Sequence, residues 1–294
     1  VSLSPAQLNQ LQTQANICTE RLGLPLRSQI WRGKAGEFQG AGTGSSIDFQ
    51  DHRAYVPGDD PRHINWQAYA RTGNYSMKLY REEVRPSVEL LLDVSNSMFF
   101  DPEKEKRCAE LLYFCCLSAA QSGASIRTQL VQGDHHQHIP EDAINSHRWL
   151  EPANKMAASD PAAPPQLQNL PLLPHSVRIL ISDLLFDTDP APILQQLTRQ
   201  HGKAILLVPY LQQEANPDWS GHYEFVDAEH RGAHPHRIDP SILKKYRQAY
   251  RDHFTQWHQA ARRFNTPMAK VASEPELLTA LNTEALKSGA LTTN

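Results

Sequence analysis

No apolar run in this sequence approaches the roughly 20 residues that a membrane-spanning helix needs, so no membrane span is expected. Nor is there an excess of basic residues. The 29 Lys and Arg stand against 32 Asp and Glu, a formal net charge of −3. That balance lacks the electrostatic footprint of a phosphate-backbone partner, and no nucleic acid is expected. Val1 to Leu11 show no basic stretch followed by an apolar core, the mark of a secretory signal. Cysteine is scarce: Cys18, Cys108, Cys115 and Cys116, with no CxxC spacing. Reduced, partly buried thiols in a cytoplasmic protein follow, not a thiolate metal site. The glycine-rich stretch 31–48 lacks the GxxxxGK[ST] arrangement of a phosphate loop and reads as a turning loop.

What is present is a chain of 294 residues, 40% hydrophobic, organised around Val88 to Met98. The run Val88-Glu89-Leu90-Leu91-Leu92 stops at Asp93, and Ser95 and Ser97 follow at alternate positions. A short apolar run bounded by polar residues reads as a buried strand of a parallel sheet. Ligands of open α/β sheets gather at the carboxyl ends of such strands. Asp93, Ser95 and Ser97 are thus oxygen donors of the kind that suits a hard cation such as Mg²⁺. The same residues also suit a plain polar turn after a strand. Val177 to Asp183 repeats the theme, an apolar strand ending in an acid.

Between and around these stretches the pattern alternates. Helices are predicted over 4–22, 103–123, 190–201, 241–264 and 274–286, the last with Ser273 as N-cap. Strands are predicted over 88–93, 125–131, 177–182, 203–209 and 268–272, with 222–228 as an edge strand. Leu243, Tyr246, Tyr250, Phe254, Trp257, Ala261 and Phe264 fall at spacings of three and four and read as core packing. His135, His136 and His138 fit a surface hairpin better than a metal site, and His230, His234 and His236 fit a loop. Residues 151–175, rich in Pro and Ala, read as an irregular connection. The fold expected is α/β and Rossmann-like, a mainly parallel central sheet over 87–294. A small N-terminal helix and an irregular or β segment, 1–86, precede it and pack on it.

Asp93 and Asp183 share one edge of such a sheet. Two acids side by side repel unless a cation or a proton lies between them. A divalent cation joined by Ser95 and Ser97 would resolve that repulsion and leave open positions for an incoming carboxylate.

These residues carry a resemblance. Asp93-Val94-Ser95-Asn96-Ser97-Met98 resembles the DxSxS metal-ion-dependent adhesion site of von Willebrand factor A domains, and Ile181-Ser182-Asp183 looks like the strand end that supplies its second Asp. The block before it is more specific. Gly44 to Phe49, Arg53 to Trp66 with Pro57-Gly58-Asp59-Asp60-Pro61-Arg62, Ala70-Arg71-Thr72, Lys78 and Glu82-Glu83 resemble the signature of the DUF58 family.

The resemblance implies a von Willebrand A-like domain with a metal site on top, holding Mg²⁺ or another divalent cation through Asp93, Ser95, Ser97 and Asp183. It implies a MoxR-type AAA+ ATPase as partner, acting chaperone-like on a client protein. Many members carry N-terminal membrane helices, and this chain looks like the short soluble form. Arg53, Asp59, Asp60, Arg62, Trp66 and Arg71 are then either a salt-bridged knot or a binding surface. The adhesion site also uses a Thr between its two Asp strands. Here only Thr128 lies between Met98 and Asp183, inside a predicted strand, which leaves Ser159 or Asp160 to substitute. A protein-binding module without enzymatic activity is the function expected. A Mg²⁺-dependent phosphate-ester hydrolase and a metal-free scaffold are the alternatives. Against the hydrolase, Ser95 stands where an Asp-x-Asp phosphotransfer motif has its second acid.

Overall fold

The computed structural model describes residues 3–26, 47–82, 85–156, 158–160, 162–229 and 232–294. The chain forms two compact units: Val1–Leu26 with Pro86–Asn294, and Arg27–Arg85. The first is an α/β unit. Its central sheet contains β1 (Ser87–Asp93), β2 (Ser125–Gln132), β3 (His135–Ile139), β4 (Val177–Ile181), β5 (Lys203–Tyr210) and β8 (Met268–Ala272). Between β5 and β8 lies a separate antiparallel hairpin of β6 (Gly221–Val226) and β7 (Ala233–Ile238). The sheet order is β3-β2-β1-β4-β5-β8. All neighbours are parallel except β2 and β3, which form the expected hairpin bearing exposed His135, His136 and His138. This is the doubly wound order, in which the chain starts in the middle and winds outward in both directions. Its switch point falls between β1 and β4, the strands that end at Asp93 and just before Asp183.

The apolar run of β1 follows from its place in the middle of that sheet. Successive side chains of a strand point to opposite faces. Leu90 and Leu92 enter one hydrophobic layer and Leu91 the other. The parallel neighbours do likewise: Ile179 and Ile181 against Leu180, Ile205 and Leu207 against Leu206. With both faces covered, no polar alternation is left to read.

Helices cover the two faces. On one side lie α1 (Pro5–Thr19), α2 (Pro102–Gln121) and α5 (Leu277–Glu284); on the other lie α3 (Ala191–Thr198) and α4 (Pro240–Arg263). Ser4 starts α1 with a capping box, its hydroxyl accepting from the Gln7 amide while the Gln7 side chain accepts from the Ser4 amide. Asp101 caps α2 by accepting from the Glu103 and Lys104 amides. The stripe on α4 is buried only in its second half, at Phe254, Trp257, Ala260 and Ala261. Its first half is more open, and Tyr246 there meets Trp219 just ahead of the hairpin, ring centroids 5.6 Å apart.

Several expectations change. The N-terminal helix groups with the α/β unit, not with residues 27–85. Leu8, Leu11, Ala15 and Cys18 are buried in the same layer as α2, and Leu24 N–H donates to Ser118 Oγ at 2.8 Å. The strand expected at 222–228 pairs with β7 and not with the central sheet, and His236 lies in a strand instead of a loop. The last helix starts at Leu277, after Glu276, while Ser273 is buried in the segment before it. Residues 151–175 include the end of a short helix, Leu150–Lys155, and a 3-10 turn, Leu167–Asn169. Most of the glycine-rich stretch 31–48 lies outside the described residues.

The second unit has an antiparallel pair, Ile47–Ala54 with Ser76–Glu82, and a helix Trp66–Thr72. Asn65 caps that helix through the Ala68 amide, and Gly73 ends it in the left-handed region at φ 71°.

If α1 is part of the core, truncating it must cost what a core residue costs. Leu8→Ala should lower the unfolding free energy by about 2–5 kcal/mol, measured by urea denaturation. A change near zero would return the helix to the periphery.

Candidate functional site

At the switch point the chain leaves β1 through a tight polar turn. Asp93 is buried, and Ser95 N–H donates to its Oδ1 at 2.9 Å, folding the loop back on the carboxylate. Ser182, at the end of β4, donates its hydroxyl to Asp93 Oδ2 at 2.7 Å. The two strand ends are thereby stitched together across the switch point. Ser95 Oγ and Ser97 Oγ lie 3.2 Å apart and hydrogen-bond one another.

Asp183 is held just as closely. Its Oδ1 accepts from Leu185 N–H at 3.2 Å, and its Oδ2 accepts from Lys104 Nζ at 2.9 Å. Lys104 is fully buried in the first turn of α2, and its ammonium also reaches Glu214 Oε1 at 2.8 Å. Leu184 lies between Ser182 and the exposed Leu185 with φ of 56°, a conformation costly for a leucine. It is pinned there by Leu184 N–H donating to Ser182 Oγ at 3.1 Å and by His253 Nε2 donating to Leu184 O at 2.7 Å.

A further acid reaches this turn from far along the chain. Glu229, in the turn between β6 and β7, accepts from Ser97 N–H at 2.9 Å and from Asn96 N–H at 3.2 Å, one amide on each oxygen. The Asn96 side chain donates back to Glu229 O at 3.4 Å.

The electrostatics follow from burial. The Asp93 carboxyl is pushed up from 3.8 to about 7, first by loss of water and then by the negative charge of Asp183; the Ser182 and Ser95 hydrogen bonds oppose the rise. Lys104 shifts upward. Desolvation is the largest influence and acts to lower it, but the charges of Asp183 and Glu214, with their hydrogen bonds, outweigh it and hold the ammonium charged.

Mg²⁺ asks for near-octahedral oxygen coordination at roughly 2.0–2.1 Å. Asp93, Ser95, Ser97 and Asp183 are oxygen donors at one strand edge, but Lys104 Nζ already contacts Asp183 Oδ2. Among the described residues, no three His, Cys, Asp or Glu side chains gather as a metal would require. The residues as they stand do not fit a divalent ion. Neither proposed substitute for the missing Thr is seen to join them. Ser159 donates to Asp134 Oδ2 at 2.8 Å, and Asp160 accepts from the Ala162 amide at 3.1 Å, both beside the β2–β3 turn. Thr128 lies inside β2 and is buried, as expected.

The other sequence-marked residues lie in the second unit. Arg53 grips Asp59 with two bonds of 2.6 Å, and Asp59 also accepts from Val56 N–H at 2.9 Å. The Arg53 hydrogen bond, then the Val56 amide, hold the Asp59 carboxyl below its usual value. Gly58 supplies the left-handed residue of this turn at φ 109°. Asp60 caps the next segment, accepting from Arg62 N–H at 3.0 Å and pairing with the Arg62 side chain at 2.6 Å. Both ion pairs are local to the block. Trp66 is 57% exposed, and the exposed Arg71 donates to Gln67 O at 3.4 Å.

The family profile described as "Protein of unknown function DUF58" matches residues 51–256, from the Arg53–Asp59 turn through both strand-end acids into α4. The chain belongs to the DUF58 family. No curated protein matches it. Several solved structures are similar, three of them as follows. One is an aerotolerance-related membrane protein from Bacteroides fragilis, at 14% identity and TM-score 0.36, covering 69% of this chain and 99% of that one. Another is BatB from Bacteroides thetaiotaomicron, at 12% identity and TM-score 0.37, covering 69% and 98%. The third is an uncharacterized membrane-spanning protein from Vibrio fischeri, at 14% identity and TM-score 0.18, covering 61% and 98%. Among the described residues of this DUF58 chain, no helix is long and apolar enough to cross a membrane.

Sequence reasoning had found Asp93, Ser95, Ser97 and Asp183 but missed Lys104, Ser182, Glu214 and Glu229. Ser182 stood beside Asp183 in the strand-end motif and was legible as a hydroxyl. Lys104 looked like one more charge in the polar first turn of a helix. Glu229 is separated from Ser97 by 132 positions, with no local pattern to betray it.

Two measurements bear on this geometry. Unfolded, the Asp93 carboxyl titrates near 3.8; folded, at about 7. Between those values the folded protein holds a proton that the unfolded chain has lost. The stability this contributes is therefore complete below the lower value and lost as pH rises through the upper one. Denaturant titrations should show wild-type stability falling relative to Asp93→Asn across that window; the opposite slope would refute the burial account. Glu229→Ala should speed amide exchange at Asn96 and Ser97 by about tenfold or more, the factor for roughly 1.4 kcal/mol of charge-assisted hydrogen bonding. Unchanged exchange would mean the hairpin contact contributes nothing in solution.

Proposed function

We propose that this DUF58 chain is a non-enzymatic protein-binding module, with the carboxyl edge of its sheet as the docking surface. The partner proposed is a MoxR-type AAA+ ATPase, which the family resemblance implies, hydrolysing ATP to assemble or activate a client protein. The observation carrying this reading is a pair of apolar side chains beside the buried acids. Phe100, seven residues after Asp93, is 55% exposed, and Leu185, two after Asp183, is 42% exposed. Both follow strands that end at the switch point, where open α/β sheets take their ligands. Exposed apolar side chains around a rigid polar centre suit a protein partner better than a small polar substrate.

The hydrolase alternative draws less support from the site. The Ser95 and Ser97 hydroxyls bond each other, and Asp93 is occupied by Ser182 and the Ser95 amide. A nucleophile needs a base within hydrogen-bond reach. Among the described residues none of these bonds joins a serine to a histidine.

The test is direct. Phe100→Asp and Leu185→Asp should each weaken binding of a purified MoxR-type ATPase from the same genome by at least tenfold in isothermal titration, with both variants folded by circular dichroism. Full binding by both variants would remove this edge from the interface. Mg²⁺-dependent turnover of a phosphate ester, abolished by Asp93→Asn, would replace the proposal with the hydrolase.

A further inference from the structure

Among the described residues Lys104 is the only buried lysine. A cation wholly withdrawn from water is costly unless the chain surrounds it with opposite charge and acceptors. Here two carboxylates do so, Asp183 from the end of β4 at 2.9 Å and Glu214 from the short helix Gln212–Ala215 after β5 at 2.8 Å. The Phe100 ring lies 5.4 Å from the ammonium and adds an apolar lid.

The four oxygens of the two strand-end acids are all engaged by donors of the chain itself. Asp93 accepts from the Ser95 amide and the Ser182 hydroxyl; Asp183 accepts from the Leu185 amide and Lys104. Two acids at one strand edge repel unless a cation or a proton answers them, and the first turn of α2 brings an ammonium to Asp183.

We infer that Lys104 is a resident cation, occupying the place a divalent ion takes in the adhesion-type site that the DxSxS turn resembles, so that this edge is complete without metal. The α2 helix positions it. Asp101 caps the helix and Pro102 begins it, so Lys104 leaves the first turn and reaches Asp183 Oδ2 at 2.9 Å. Its side chain carries charge to the strand edge without an ion to capture or lose. The inference concerns the same edge as the proposed docking surface, but it does not depend on the partner.

The experiment is a metal titration of the full chain, read by Mn²⁺ electron paramagnetic resonance, by calorimetry with Mg²⁺ and by thermal unfolding. The wild type should show no saturable site at millimolar metal, and its midpoint should be the same with Mg²⁺ as with EDTA. Lys104→Met keeps the length of the side chain and removes its charge. It should unfold at a lower temperature and gain a midpoint rise of several degrees with Mg²⁺ or Mn²⁺, because a ligand that binds only the folded state stabilises it.

Stoichiometric sub-millimolar binding by the wild type, lost in Asp183→Asn, would overturn the inference. So would a folded Lys104→Met that ignores metal, since the ammonium would then not stand where a cation can. Should Lys104→Met fail to fold, the wild-type titration decides alone. None of these readouts involves the ATPase, so a failure here is distinguishable from failure of the docking proposal.

Discussion

Two parallel strands that end in acids side by side bring like charges together at the one place where the sheet opens. In this chain the ammonium of Lys104, shared between Asp183 and Glu214, answers that constraint, with Ser182 bridging to Asp93. Other features follow from it. The left-handed Leu184 lets the backbone turn so that Asp183 faces α2 while Ser182 faces Asp93. Pro102 and Asp101 fix the start of α2 so that its first turn reaches the strand edge. The short helix after β5 is tied to the same point through Glu214. Removing one partner of such a buried set leaves an uncompensated charge, which is why buried ion pairs cost far more to break than exposed ones.

The contrast with the second unit is instructive. Arg53–Asp59 and Arg62–Asp60 have comparable distances, yet both lie at the surface, the Arg62 side chain being 85% exposed. Water and salt screen such pairs, and they fix local turn shape more than stability. The turn around Gly58 is thus shaped by local bonds, whereas the switch point is shaped by bonds that join stretches far apart in the chain.

Much of the architecture was legible because it rests on short-range pattern. The apolar runs ending at Asp93 and Asp183 stood out because central parallel strands are covered on both faces, and Leu90, Leu91 and Leu92 divide between two layers as that requires. The aromatic stripe of α4 was half right, since its spacing gives the face but not where along the helix the core ends. The site was legible in its oxygens and not in its charge balance. Asp93 and Asp183 announce themselves by following apolar runs. Lys104 sits among Glu103, Glu105 and Lys106 and looks like part of a solvated face; only the tertiary fold turns it inward. Glu229 lies beyond any local signal, as does the assignment of α1 to the α/β unit.

That last placement has an entropic side. Leu22–Gly23 pairs antiparallel with Thr292–Thr293, and Thr292 Oγ1 donates to Gly23 O across 269 positions. Closing a loop of that length costs on the order of 5 kcal/mol in a flexible chain, more than a two-residue ladder returns. The ladder persists because the sheet and α2 bridge the intervening chain and because Leu8 and Leu11 are buried beside it. The pairing of these two distant segments is therefore carried by the packing of the first helix and the sheet around it, not by its own bonds.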